Sequence, residues 1–169
     1  MQQEDIVLHC LRWFNIEYVW KTTIMEKILV PFDGSEYSQK AYEKSLEIAE
    51  KFESQITVVT VLQSKISDST GVSIERMEEI QDEEEDTATT MLKKLEGQAN
   101  AKKVPFSIKV IHNPSSTDGI LAFAESNNVD LIVMGSHGRT GFRKLVLGSV
   151  ASGVAGHAKC DVLLTKGTE

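Results

Sequence analysis

A glycine-rich segment in the last third of the chain, GSHGRTGFRKLVLGS (residues 135–149), has the residue types to bind an anion. Gly135 and Gly138 can adopt positive φ and let the backbone approach a ligand closely, so successive amides can converge on one anion. Gly148 and Ser149 stand at a predicted helix start, where unpaired N–H groups and a hydroxyl favour negative charge. The segment predicts a phosphate-binding loop, and a glycine-rich connection without a ligand is the alternative.

Three better-known motifs fail on spacing. The chain has no GxxxxGKS/T, so the lysine of a Walker-type NTPase loop is missing. Gly135, Gly138 and Gly141 form GxxGxxG rather than the dinucleotide fingerprint GxGxxG. Met134 occupies the position at which the nucleophile elbow GxSxG needs its first glycine, which makes Ser136 a poor candidate nucleophile. Four side chains of the segment add local positive charge or are merely solvated: His137, Arg139, Arg143 and Lys144.

The elements that must position this loop alternate from Lys27 onward between short apolar runs and helix-length amphipathic segments, which is typical of a parallel sheet covered by helices. Strands are predicted at 27–32, 55–62, 105–111, 130–135 and 161–166. Helices are predicted from a Ser35 cap to about Glu53, and at about 74–99, 117–127 and 149–157. Five strands joined by helices imply an α/β fold with an open, doubly wound parallel sheet and helices on both faces.

Finer features of these elements are also predicted. The run QITVVTVL lacks polar alternation, as in a strand buried on both faces, and Pro105 places the third strand toward a sheet edge. The inward positions of the first helix are predicted to be Ala41, Ser45, Ile48 and Phe52. Those of the second helix are predicted to be Ile74, Met77, Ile80, Ala88, Met91, Leu92 and Leu95, with acidic residues 82–86 opposite. Because such sheets bind ligands beyond the carboxyl ends of their strands, the candidate site segments are 31–35, 61–63, 112–114 and the loop after residue 134.

The spacing of the loop resembles that of the universal stress protein family. Its ATP-binding members carry glycine, two residues, glycine, nine residues, then glycine with serine or threonine, and Gly135, Gly138, Gly148 and Ser149 match every position. The resemblance extends over residues 25–166 and includes MEKILVPFDGSEYS and DLIVMGSHG. It implies a Rossmann-like fold of the adenine nucleotide alpha hydrolase type that binds ATP or AMP.

The resemblance also implies roles for individual residues. Asp33, beside Pro31, contacts the nucleoside; Val61 meets adenine through its backbone; Met134 lines the base or ribose pocket. The residues that hold the phosphates are Gly135, Gly138, Gly148, Ser149 and Val150. Each has an alternative: Asp33 forms only an Asx turn, Val61 and Met134 only pack in the core, and Ser149 is only a helix cap.

The chain departs from the family after the third strand. The family commonly has a glycine shortly before a proline there, whereas this chain reads Ile111, His112, Asn113 and Pro114. The larger side chains predict a narrower ribose side. His112 is either a hydrogen-bonding partner of the nucleotide or a surface loop histidine.

Composition limits the classes of function. A net charge of -7 argues against nucleic acid as a partner. Cys10 and Cys160 form neither a disulfide framework nor a CxxC motif, which indicates a reducing cytoplasm, and no apolar run is long enough to span a membrane. No His, Cys and carboxylate cluster has metal spacing, so Mg²⁺ is expected only as a companion of ATP.

The chain is predicted to have an extension and one domain. The domain comprises residues 25–169, and residues 1–24 form an N-terminal extension that holds both tryptophans, Trp13 and Trp20. The extension either docks its apolar residues on protein or is an upstream leader. The resemblance implies a homodimer through the last strand, for which residues 162–166, VLLTK, supply an apolar edge.

Three functions remain open at this point. The first is a stress-response protein in which bound ATP or AMP shifts the phosphate loop and so changes an interface with an unidentified protein partner. The second is a slow ATPase or autophosphorylating enzyme, for which Asp33, His137 and Ser149 are the first candidates, although no base and nucleophile pair is evident. The third is a nucleotide-free interaction module.

Overall fold

The computed structural model describes residues 25–63, 74–138 and 147–166. Its five strands are β1 (Lys27–Pro31), β2 (Gln55–Leu62), β3 (Phe106–His112), β4 (Leu131–Gly135) and β5 (Asp161–Thr165). All neighbouring strands pair in parallel, in the order β3-β2-β1-β4-β5. The predicted open five-stranded parallel sheet is confirmed, and β3 lies at one edge as its leading proline indicates.

Five helices cover the sheet in the described part of the chain. They are α1 (Glu36–Phe52), α2 (Ile74–Lys93), α3 (Glu96–Ala101), α4 (Ser116–Ser126) and α5 (Ser149–His157). Side chains of α1, α2 and α3 bury one face of the sheet, whereas α4 and α5 bury the other. The fold is therefore doubly wound, because the chain crosses from one face to the other between β3 and β4.

Two apolar clusters form the core. Alternate strand residues separate them: Ile28 and Val30 of β1 pack with α1 to α3, while Leu29 packs with α4 and α5. Eight side chains of the central strands are almost wholly buried: Ile28, Leu29, Val30, Ile56, Val58, Val59, Ile132 and Val133. This pattern explains why the strands lack polar alternation, since both faces are covered.

The second predicted helix is in fact two helices. We expected one helix over 74–99, but α2 ends at Lys93 and α3 begins at Glu96. At the break, Leu95 N–H donates to Leu92 O at 3.0 Å, a tighter three-residue turn that buries both leucines. The 3.6-residue period does not reveal the break because the apolar residues continue through it.

Two predicted inward residues are wrong. Phe52 of α1 is 50% exposed and Ile80 of α2 is 41% exposed. Ala41 and Ser45 of α1 are buried as predicted, and the buried face of this helix also includes Ser38, Tyr42, Leu46 and Ala49. Phe52 occupies the last turn of α1, and residues 78–87 of α2 are all exposed, so spacing alone places both residues wrongly. None of the helices described here has the length and apolar character to cross a membrane.

Candidate nucleotide-binding crevice

The crevice lies where the direction of strand addition reverses, between β1 and β4. The chain adds β2 and β3 on one side of β1 and β4 and β5 on the other, so the loops that follow β1 and β4 diverge. Asp33 follows β1, and Gly135 ends β4. A Cβ added to Gly138 would lie 2.9 Å from Asp33 Oδ2, so the loop after β4 reaches the loop after β1.

The loop after β1 is held by its own side chains. Gly34 adopts φ +81°, and Ser35 N–H donates to Asp33 Oδ1 at 3.0 Å, which is the predicted Asx turn. Ser35 Oγ then accepts from Ser38 N–H at 3.2 Å and caps α1. The turn uses Oδ1 of Asp33, and Oδ2 faces Gly138, so the turn and a ligand contact are compatible.

Hydrogen bonds fix both ends of the glycine-rich loop. Gly148 N–H donates to Ser136 O at 2.9 Å, and Ser136 N–H donates to Thr165 O of β5 at 2.8 Å. A Cβ on Gly148 would lie 3.2 Å from Ser136 O, which leaves little room for any larger residue. The end of β4 and the start of α5 are thus clamped together at the crevice.

The N-terminus of α5 is open to an anion. Gly148 is its N-cap and supplies no side-chain hydrogen bond, and the first turn contains no acidic residue. Ser152 N–H donates to Gly148 O at 2.8 Å, so the N–H groups of Ser149, Val150 and Ala151 precede the first intrahelical bond. Ser149 is exposed and Val150 half-buried. The amides of Ser149 and Val150 and the Ser149 hydroxyl are among the groups predicted to hold phosphates, and they stay predictions.

The backbone of Val61 faces the same crevice. Peptide groups of a strand alternate between its two neighbours, and Phe32 N–H donates to Val59 O, whereas Asn113 N–H donates to Leu62 O. Val61 therefore directs its peptide groups to the β1 side, and Val59 is the last β2 residue with a partner in β1. One N–H donor and one C=O acceptor of β2 consequently lie beyond the end of β1.

The remaining predicted residues have plainer surroundings. Met134 is 5% exposed and packs in the α4 and α5 cluster, so its side chain is a core residue. The Val61 side chain packs in that cluster too, and a Cβ on Gly119 would lie 3.2 Å from its Cγ1. Pro31, half-buried, ends β1 next to the turn of Asp33.

Sequence reasoning misses Tyr37, in the first turn of α1. A Cβ on Gly135 would lie 2.7 Å from Tyr37 Cβ, and the Tyr37 ring lies 5.2 Å from the His137 ring, with 47° between their planes. Thr165 Oγ1 donates to Tyr37 O at 3.4 Å and to Met134 O at 3.3 Å. No local pattern signals this cluster, because its members lie about a hundred residues apart in the sequence.

The segment after β3 serves two local contacts. His112 Nε2 lies 2.9 Å from Glu85 Oε2, which joins the end of β3 to the acidic run of α2. Asn113 Oδ1 accepts from Ser115 N–H at 2.9 Å, and Ser115 Oγ caps α4. A Cβ on Gly119 would lie 3.1 Å from Asn113 Cβ, so the asparagine packs closely against α4.

Some of the predicted features lie outside the described residues. Arg139, Arg143 and Lys144 of the loop fall outside the described ranges, as does the extension.

Within the described ranges no group of three His, Cys, Asp or Glu side chains could hold a metal ion. Burial raises the pKa of the Cys160 thiol, the opposite of what an activated nucleophile needs.

A five-stranded parallel sheet that is doubly wound, with a clamped glycine loop at its switch point, defines an α/β protein with an open sheet. The family model of the "Universal stress protein family" matches residues 25–166, and the chain belongs to this family. Universal stress protein MJ0531 of Methanocaldococcus jannaschii is 31% identical, over 95% of this chain and 94% of its own length. Universal stress protein YxiE of Bacillus subtilis is 28% identical, over 85% of this chain and 100% of its own length.

Solved structures of the family share the fold. Universal stress protein UspA from Lactobacillus plantarum superposes with a TM-score of 0.72 at 23% identity, covering 83% of this chain and 97% of its own. A universal stress protein in complex with cAMP gives 0.64 at 20% identity, covering 85% and 98%. The Archaeoglobus fulgidus protein in complex with dAMP gives 0.58 at 20% identity, covering 84% and 98%.

Proposed function

We propose that this chain binds an adenine nucleotide, ATP or AMP, in the crevice between β1 and β4 and acts as a nucleotide-regulated stress-response module of the cytoplasm. The observation that carries the proposal is the position of Val61, whose N–H and C=O face the crevice beyond the end of β1. The family assignment and the complexes of two relatives with cAMP and dAMP support an adenine ligand.

The base end of the crevice suits adenine. Adenine presents an amine donor next to a ring-nitrogen acceptor, which one backbone C=O and one backbone N–H can satisfy together. Val61 supplies such a pair, and Asp33 beside Pro31 offers Oδ2 to the nucleoside. In this assignment Met134 contributes to the pocket from the core beneath it, because its side chain is buried.

The phosphate end is the N-terminus of α5 together with the glycine loop. Gly135, Gly138 and Gly148 permit close approach of the backbone, and Ser149 and Val150 supply donors. A helix N-terminus contributes only about 0.3–1 kcal/mol at an exposed site, so the amide hydrogen bonds carry most of the affinity for phosphate. In this proposal Mg²⁺ arrives bound to the phosphates of ATP.

A route from nucleotide to interface runs through β5. Ser136 N–H is bonded to Thr165 O, and Gly135 is paired in register with Thr165. β5 is an edge strand with Leu163 36% exposed, the surface through which we propose that two copies pair. A phosphate that reorders the loop therefore acts directly on the backbone of the dimer edge.

The test is calorimetric titration of ATP, with and without Mg²⁺, and of AMP into nucleotide-free protein. We expect binding by the wild type and a loss of about tenfold or more in Gly148→Ala, whose Cβ would crowd Ser136 O at 3.2 Å. Gly156→Ala is the matched control, because a Cβ at this α5 position meets nothing within 4 Å. No binding by folded wild-type protein would refute the proposal and favour the nucleotide-free interaction module.

A further inference from the structure

The side chain of Tyr37 in α1 lies against the start of the glycine loop. It is half-buried in the first turn of α1, whereas Gly135 and His137 belong to the turn that follows β4. A Cβ on Gly135 would lie 2.7 Å from the Tyr37 Cβ, so Tyr37 occupies the space that a side chain at 135 would need. The Tyr37 ring contacts the His137 ring. The glycine at 135 is thus explained by Tyr37 as well as by a ligand.

His137 is contacted on two sides. The Tyr37 ring lies 5.2 Å away between ring centroids, within the range of a favourable tilted aromatic pair. On the other side, Ser136 Oγ and His137 Nδ1 are 3.1 Å apart, within hydrogen-bond distance. Ser136 is itself held by its two backbone bonds to Gly148 and Thr165. The orientation of the His137 ring therefore depends on groups from α1 and β5 as well as on its own loop.

We propose that Tyr37 is a positioning residue for the phosphate loop: its ring holds His137, and with it the backbone that leads into Gly138, in the conformation that receives the nucleotide. This inference rests on the proposed nucleotide-binding function. Gly138 follows His137 directly, and backbone that is held in place before binding loses less conformational entropy on binding than free backbone. Tyr37 contributes by ordering His137 and Gly138, without any contact to the ligand.

The geometry specifies which part of Tyr37 matters. The contacts that define the cluster are made by its Cβ, its backbone carbonyl and its ring. Tyr37→Ala keeps the first two and removes the ring, whereas Tyr37→Phe keeps all three. We therefore expect the affinity for ATP and for AMP to fall about 3- to 10-fold in Tyr37→Ala, the value of one aromatic pair. In Tyr37→Phe the affinity stays within about twofold of wild type.

The experiment combines titration of both nucleotides with NMR of the histidine ring protons in nucleotide-free protein. Removal of the Tyr37 ring current should shift the His137 resonance in Tyr37→Ala, and Tyr37→Phe should restore it. Phe52→Ala is the matched control, since Phe52 is an exposed aromatic residue at the other end of the same helix. It should change neither the His137 resonance nor the affinity.

The outcomes separate this inference from the proposed function. Wild-type affinity in Tyr37→Ala would overturn it, and so would an equal loss in Tyr37→Phe, since the hydroxyl would then be the important group. If folded wild-type protein binds no adenine nucleotide, the proposed function fails. The role of Tyr37 is tested separately, because an unchanged His137 resonance in nucleotide-free Tyr37→Ala would show that the ring does not position His137.

Discussion

The carboxylate of Asp33 divides its two oxygens between Ser35 and Gly138: Oδ1 accepts from Ser35 N–H at 3.0 Å, and Oδ2 lies 2.9 Å from the position of a Cβ on Gly138. Asp33→Asn keeps an oxygen for the Asx turn and removes the charge, whereas Asp33→Ala removes both. If Asp33 binds the nucleoside, both variants should bind ATP about tenfold more weakly, and only Asp33→Ala should also lose about 1 kcal/mol of stability. Calorimetry and urea unfolding measure the two effects. Wild-type affinity in Asp33→Asn would show that Asp33 forms the Asx turn and does not bind the nucleoside.

The packing of α5 on α4 leaves no room at Gly153. A Cβ there would lie 2.8 Å from Cγ2 of Thr117. We predict that Gly153→Ala costs about 1–3 kcal/mol of unfolding free energy through overpacking. It should also weaken nucleotide binding, because α5 carries the proposed phosphate donors.

Thr117→Ser provides the test of that cause, since it removes the methyl group that meets the added Cβ. The cost of Gly153→Ala, measured by urea unfolding in both backgrounds, should be smaller in Thr117→Ser protein. Equal costs in the two backgrounds would show that the contact with Thr117 is not the reason.

Local sequence signals predicted much of this molecule. Ser35 as a helix cap, the strand at 55–62 and the helix at 149–157 all appear as predicted, because each depends on neighbouring residues. The sequence also identifies Gly138 and Gly148, because the spacing of the glycine motif can be read without a structure. The structure adds the atoms that come close to these glycines, which are Asp33 Oδ2 at Gly138 and Ser136 O at Gly148.

Local sequence patterns do not predict the long-range contacts of this molecule. Tyr37 meets Gly135 and His137 only through the pairing of β1 with β4. The exposure of Phe52 depends on where α1 meets the sheet, and the peptide groups of Val61 lie beyond a strand partner because β1 ends before it. These facts are set by tertiary packing, which overrides helical periodicity and leaves no trace in composition.

Buried Tyr42 makes the stability depend on alkaline pH. Its hydroxyl donates to Leu95 O at 2.7 Å, and burial raises its pKa to about 12. The unfolded chain has the ordinary tyrosine pKa of about 10, so the folded state retains the proton more strongly. This contribution to the unfolding free energy is complete below pH 10 and is lost as pH rises toward 12.

Tyr42→Phe isolates the effect. It should cost about 1–3 kcal/mol at pH 8, because the Leu95 carbonyl loses a buried partner. Urea unfolding of both proteins from pH 8 to 12 should show the difference narrowing above pH 10. A constant difference over that range would exclude Tyr42 as the titrating group.

Leu163 is the residue with which we test the proposed dimer. It lies in edge strand β5 and is 36% exposed, so a lysine there would place charge in the paired edge without disturbing the core. We predict that Leu163→Lys weakens the dimer at least about tenfold in sedimentation velocity. Ile80→Lys, at another exposed apolar position, should not. A monomeric wild type, or a dimer unaffected by Leu163→Lys, would place the interface elsewhere.

Residues 1–24 should be separable from the folded domain. Among the described residues, which begin at residue 25, the core is formed by two complete layers on the sheet, and every proposed site residue lies there too. We therefore predict that protein comprising residues 25–169 folds and binds ATP with wild-type affinity. Thermal unfolding and calorimetry check this, and a truncated protein that fails to fold would make the extension part of the domain. The alignment with MJ0531 covers 95% of this chain, more than residues 25–166 supply, so the similarity extends into the extension.

Tryptophan fluorescence then shows where the extension goes, because Trp13 and Trp20 are the two tryptophans of the chain. If its apolar residues dock on the domain, the intact protein should emit at shorter wavelength than free tryptophan, independently of protein concentration. Docking between copies would instead make the blue shift grow with concentration. Emission like that of free tryptophan at every concentration would contradict docking, since an indole buried against protein cannot remain fully hydrated.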